Sequence, residues 1–144
     1  MLMDARLIGY LNRAAGHELG AIQQYLAQSR LCEMWGMADF SRQFSEDAKE
    51  ETGHLSDLMD ALLRLGVTPQ ASHVPPVRLG RTLEQMLEID RQLEYDAIRL
   101  YEEAVDYCAR QRDATHQALF DRILRDELEH LGTLDQLGSR VKAA

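Results

Sequence analysis

Proline, cysteine and aromatic residues are scarce: the 144 residues hold three Pro, two Cys and 6% Phe, Trp and Tyr. All three prolines fall within 65–77, which is also the longest stretch free of Asp, Glu, Lys and Arg. A run so interrupted cannot cross a membrane, while the proline-free remainder permits long helices. Cys32 and Cys108 lie far apart and in no Cys-x-x-Cys pair, so they read as two reduced, half-buried thiols without assigned chemistry. Basic residues are also short, 16 against 24 acidic, for a formal net charge of −8. That balance argues against nucleic acid and suits cationic ligands such as metal ions. The first residues, Met-Leu-Met-Asp-Ala-Arg, show no basic segment followed by an apolar block, so a cytoplasmic protein of one domain is expected.

What is present is a repeat. Shifting the chain by 76 residues pairs 1–68 with 77–144, and 14 of 68 positions are identical, against about 4 or 5 from ordinary composition. The matches include Leu11/Leu87, Glu18/Glu94, Ile22/Ile98, Tyr25/Tyr101, Cys32/Cys108, Phe44/Phe120, Glu51/Glu127, His54/His130 and Leu58/Leu134. The segment between the repeats, 69–76, contains every proline. Each half carries apolar residues at helical spacing, as in Leu7, Leu11, Ala14, Ile22 and Tyr25, and reads as an antiparallel helical hairpin. Gly36 is expected to end the first helix and Asp39 to cap the second, with Asp113 near the matching break. Gly66 is the expected stop of the second helix, and Thr82 with Gln85 reads as a capping box opening the third. Extended, the intervening stretch reaches roughly 50 Å, far more than neighbouring helices need. The expected fold is therefore all-α, a four-helix bundle of two hairpins joined by a long crossover, with up-down-up-down connectivity as the alternative.

Glu18 and Glu94 stand inside the apolar stripes, and Glu51 and Glu127 lie between Phe44 and Leu58 and between Phe120 and Leu134. Four carboxylates thus face an interior, where each costs several kcal/mol unless a cation neutralises it. Lys49 and Arg125 fall on other helix faces, leaving Arg91 as the one basic residue near a stripe. His54 and His130 each follow a glutamate by three residues, on the same helix face. Twelve Glu and five His yield roughly 0.4 chance occurrences of Glu-x-x-His, so two at one repeat position are a signal. Four Glu and two His suit a pair of divalent metals, a constellation known from dinuclear helical bundles.

The chain resembles the bacterioferritin branch of the ferritin-like superfamily, from Tyr-Leu-Asn at Tyr10 through Glu-Leu-x-Ala-Ile-x-Gln-Tyr at Glu18, Trp35-Gly36 and Ile-Leu-Arg-Asp-Glu at Ile123 to His130. The resemblance implies two irons per subunit, one held by Glu18 and His54, the other by Glu94 and His130, with Glu51 and Glu127 bridging. Mn or Zn suit the same ligands. It implies a ferroxidase that oxidises Fe(II) with O2 or H2O2 and passes Fe(III) to a mineral store. Tyr25 and Tyr101, seven residues after Glu18 and Glu94, are candidates to support the carboxylates across the bundle through their hydroxyls. Tyr25 matches a family position near the di-iron site, and Tyr101 matches none.

Two positions depart from the family. The methionine that binds haem between paired subunits is here Thr52, and Met59, seven residues on, reads as a core or dimer-contact residue. An assembly of this chain alone is therefore expected to lack haem, unless a partner chain supplies methionines. The family's fifth helix also has no residues after Ala144. A homo-oligomeric 24-subunit cage is preferred, with a 12-subunit shell or a dimer as alternatives. His17, His73 and His116 read as structural or solvated, and Glu46, Asp47 and Glu50 as an acidic strip guiding iron inward. Rival functions are a peroxide-reducing di-iron protein of the rubrerythrin kind and a non-catalytic, metal-stabilised scaffold subunit.

Overall fold

The computed structural model describes residues 3–143, so Met1, Leu2 and Ala144, at the outer ends of the two repeats, lie outside the described residues. Four helices follow in order: α1 Ala5–Met34, α2 Ala38–Arg64, α3 Leu83–Arg110 and α4 Ala114–Ala143. No strand occurs among the described residues. Two units are distinct, Met1–Leu79 and Gly80–Ala144, each built on one helical hairpin.

In the first hairpin, Leu7, Leu11, Ala14, Ala21, Tyr25 and Cys32 of α1 are buried, as are Phe44, Ala48, Leu58 and Leu62 of α2. Their three- and four-residue spacing is why these segments are helical and why they pair. Asp4 caps α1, its Oδ1 accepting from the amides of Arg6 and Leu7 at 3.1 and 3.0 Å. The expected stop at Gly36 is present, with φ +76°. The expected cap at Asp39 is not: the N-cap of α2 is Met37, without a side-chain bond, and Asp39 lies inside the first turn, where it pairs with Arg42. The reason is chain length, because the left-handed residue at Gly36 already completes the reversal and α2 starts two residues sooner. Gly66, at φ +75°, follows the end of α2 as expected.

The chain after Gly66 is tied to α1. The Ser72 amide donates to the Asn12 carbonyl (3.1 Å), and the Gln70 amide to the Asn12 side chain (3.0 Å). Gln23 donates to the Pro75 carbonyl, while Gln24 both donates to the Arg78 carbonyl and accepts from its amide, at 2.8 and 2.9 Å. The segment therefore runs alongside α1 in the same direction, supplying backbone partners that a proline-rich strap cannot give itself. Gly16 and Gly20 admit it: a Cβ at Gly16 would overlap the Ser72 carbonyl, and one at Gly20 the Pro75 ring.

In the second hairpin, Met86, Leu87, Ala97, Ile98, Tyr101, Ala104 and Cys108 of α3 and Phe120, Ile123, Leu134 and Leu137 of α4 are buried. Thr82 caps α3 as expected, accepting from the Gln85 amide at 3.1 Å, and the Gln85 side chain reaches back to the Arg81 amide. Asp113 caps α4, its Oδ1 accepting from the His116 amide at 3.1 Å. Both cysteines are fully buried rather than half-buried, and neither is in a disulfide.

Candidate metal centre

Helix period places Glu18 on the buried stripe of α1, and Glu51 with His54 on that of α2. All three are buried, the two glutamates at 0% exposure. His54 Nδ1 stands 3.6 Å from Glu18 Oε2 and 3.7 Å from Glu51 Oε1, and one donor atom from each residue lies within 4.8 Å of the others. The second hairpin repeats this arrangement from α3 and α4: His130 Nδ1 is 3.7 Å from Glu94 Oε1 and 3.9 Å from Glu127 Oε1, with all three residues buried. Each hairpin thus assembles two carboxylates and an imidazole.

The separations carry chemical information. They exceed hydrogen-bond length. Two ligands about 2.1 Å from a shared cation, at a tetrahedral or somewhat wider angle, lie roughly 3.4–3.8 Å apart. Hard carboxylate oxygens with borderline imidazole nitrogens are a donor set for iron, manganese or zinc, so the residues fit a metal. Burial pushes the Glu18 carboxyl up, but its polar interactions with Glu51 and His54 and the charges of His54 and His17 outweigh that and hold Glu18 below the ordinary carboxylate range.

The basic residues nearest these positions in sequence are engaged elsewhere. Arg91 pairs with Asp135 at 3.2 Å, Arg125 with Asp121 at 2.6 Å and Lys49 with Glu46 at 3.4 Å. Tyr25 and Tyr101 are both buried, the first stacked on Phe44 (centroids 6.4 Å, planes 11° apart), the second tilted on Phe120 (6.2 Å, 45°). The acidic strip is narrower than expected, because Asp47 is buried and accepts from Gln43 at 3.0 Å, leaving Glu46 and Glu50 exposed. His17 is buried, which agrees with the structural side of its expected reading. His73 is exposed and His116 contacts Asp113 at 2.7 Å. Sequence reading missed Asp90, a wholly buried carboxylate one turn before Glu94; its four-residue spacing from Met86 and Glu94 was the available signal.

Position 52 does not fit a haem ligand. Thr52 Oγ1 donates to the Ala48 carbonyl at 2.8 Å, so the position offers a short, hard hydroxyl bound to its own helix and no thioether. Met59 is 37% exposed and is not a core residue.

Comparison with known proteins agrees with this architecture. The ferritin-like domain family matches residues 8–143. Bacterioferritin of Rhodobacter capsulatus is 37% identical over 132 residues, covering 92% of this chain and 82% of that protein. A bacterial ferritin of Synechocystis sp. is 31% identical, covering 92% and 90%. A solved structure of the R. capsulatus protein, described with a metal-free dinuclear site and its haem iron in a crystallographic special position, superimposes with a TM-score of 0.94 at 36% identity, over 99% of this chain and 89% of that one. The chain belongs to the ferritin-like family, in its bacterioferritin branch. Its fold class is the four-helix bundle of that branch. No helix among the described residues is long and apolar enough to cross a membrane.

Proposed function

We propose that the chain is a bacterioferritin-like ferroxidase and iron-storage subunit, with 1–144 acting as one ferritin-like domain. The observation that carries this is the duplicated triad, with its donor atoms at metal-sharing distances in both hairpins. Glu18, Glu51 and His54 would hold metal in one hairpin, and Glu94, Glu127 and His130 in the other. Iron is the substrate: each Fe(II) loses one electron, and peroxide takes up two electrons and two protons to give water, or O2 serves instead. The buried carboxylates neutralise the cations, and the imidazole Nδ1 atoms fix their place on α2 and α4. Tyr25, two turns from Glu18, supports the carboxylates through its hydroxyl. The ferric product hydrolyses and enters a mineral store inside a homo-oligomeric cage of 24 subunits, in the cytoplasm.

Thr52 supports an assembly without haem when this chain is alone, a partner subunit with methionine at that position being the other route to haem. The test is sedimentation of the full-length protein with metal and haem analysis, before and after aerobic Fe(II). A large shell gaining far more than two irons per chain is expected. A small oligomer saturating at about two metals per chain would remove storage. Rapid peroxide consumption with an added reductant would favour the rubrerythrin-like reading, and neither activity a metal-stabilised scaffold.

A further inference from the structure

The second hairpin contains a buried polar group that metal binding by the six ligands leaves unused. Tyr101 has 0% exposure, and a phenol hydroxyl held away from water must be satisfied inside the protein. Among the described residues of the second hairpin, the buried polar and charged side chains are Asp90, Glu94, Glu127 and His130. All four are acids or imidazole, and three belong to the metal triad. Helix carbonyls around Tyr101 serve their own ladders, which leaves side-chain carboxylates as the natural acceptors.

The direction of the side chain agrees. Residues seven apart share a helix face, and helical side chains lean toward the N-terminus, so Tyr101 leans over the turns that carry Glu94. Phe120, which meets the Tyr101 ring, precedes Glu127 by the same seven residues on α4. Tyr101 and Phe120 therefore form one layer, and Glu94 and Glu127 the layer two turns away on the side toward which Tyr101 leans. The same seven-residue step separates Tyr25 and Phe44 from Glu18 and Glu51 in the first hairpin.

We propose that Tyr101 is a positioning residue of the metal centre, its hydroxyl donating a hydrogen bond to a ligand carboxylate and fixing that carboxylate for its metal ion. This rests on the reading of the six ligands as a metal pair. The test is equilibrium titration of the full-length, assembled protein with Co(II) under anaerobic conditions, read by visible absorption, for the unaltered protein, Tyr101→Phe and Phe120→Leu. Tyr101→Phe removes only the hydroxyl; Phe120→Leu disturbs the same layer and leaves it. The expected result is two Co(II) per chain for the unaltered protein. One of them weakens by roughly 10- to 100-fold in Tyr101→Phe, with the thermal midpoint nearly unchanged, while Phe120→Leu lowers the midpoint and keeps both affinities. Unchanged Co(II) affinity in Tyr101→Phe overturns the proposal and leaves the metal reading standing, as does an equal loss in both variants. No paired Co(II) in the unaltered protein overturns the metal reading and this proposal with it.

Discussion

The two hairpins have matching interiors and differ in their surroundings. Glu18, Glu51 and His54 in one are matched by Glu94, Glu127 and His130 in the other, with Nδ1-to-carboxylate distances of 3.6 and 3.7 Å against 3.7 and 3.9 Å. Gly16 and Gly20 lie beneath the strap, whereas their counterparts Gln92 and Asp96 are exposed and hydrogen-bond each other at 3.0 Å. At the hairpin turns, Gly36 and Arg112 both have positive φ, +76° and +56°, but Met37 offers α2 no side-chain cap while Asp113 caps α4. The buried Glu-Glu-His triads thus match closely between the hairpins, while turns and covered faces follow local demands.

The comparison breaks most visibly at the ligands. Glu51→Ala and Glu127→Ala should each slow Fe(II) oxidation, followed by stopped-flow absorbance, by about 100-fold or more. A mild effect in only one of them would show that the hairpins contribute unequally. Next in size, Gly16→Ala should destabilise the protein by about 1–3 kcal/mol through overlap with the strap. Gln92→Ala, its counterpart, should stay within about 0.5 kcal/mol; denaturant midpoints decide. Smaller gains are expected at the turns. Arg112→Gly relieves a left-handed backbone and Met37→Asp adds a cap, each raising stability by about 0.5–1 kcal/mol by the same measurement.

The pH response is the finest test. Because the folded protein holds Glu18 below its ordinary value, its contribution is present above the unfolded carboxylate range and lost as pH falls through the folded value. Metal-free Glu18→Gln should therefore show a shallower loss of stability on acidification, and Glu94→Gln makes the matching measurement on the second hairpin.

Much of the fold and of the candidate metal centre is legible in residue order alone. The offset of 76 residues, the two Glu-x-x-His steps and the helix stops at Gly36 and Gly66 are local or periodic signals, and helices obey periodicity closely. The expected cap at Asp39 fails because turn geometry, and not cap preference, sets where α2 begins. Asp47 is misplaced by sequence reading because burial depends on what covers a helix face.

Residue identity and spacing alone set the helical period, the paired repeats, the matched glutamates and histidines on the buried stripes, and a hydroxyl in place of any thioether at position 52. Tertiary structure alone decided that the proline-rich strap lies on α1 and that Arg91, Lys49 and Arg125 pair with Asp135, Glu46 and Asp121. It also set the imidazole and carboxylate atoms at metal-sharing distances within each hairpin. Those outcomes turn on contacts and side-chain directions, which spacing along one chain does not encode.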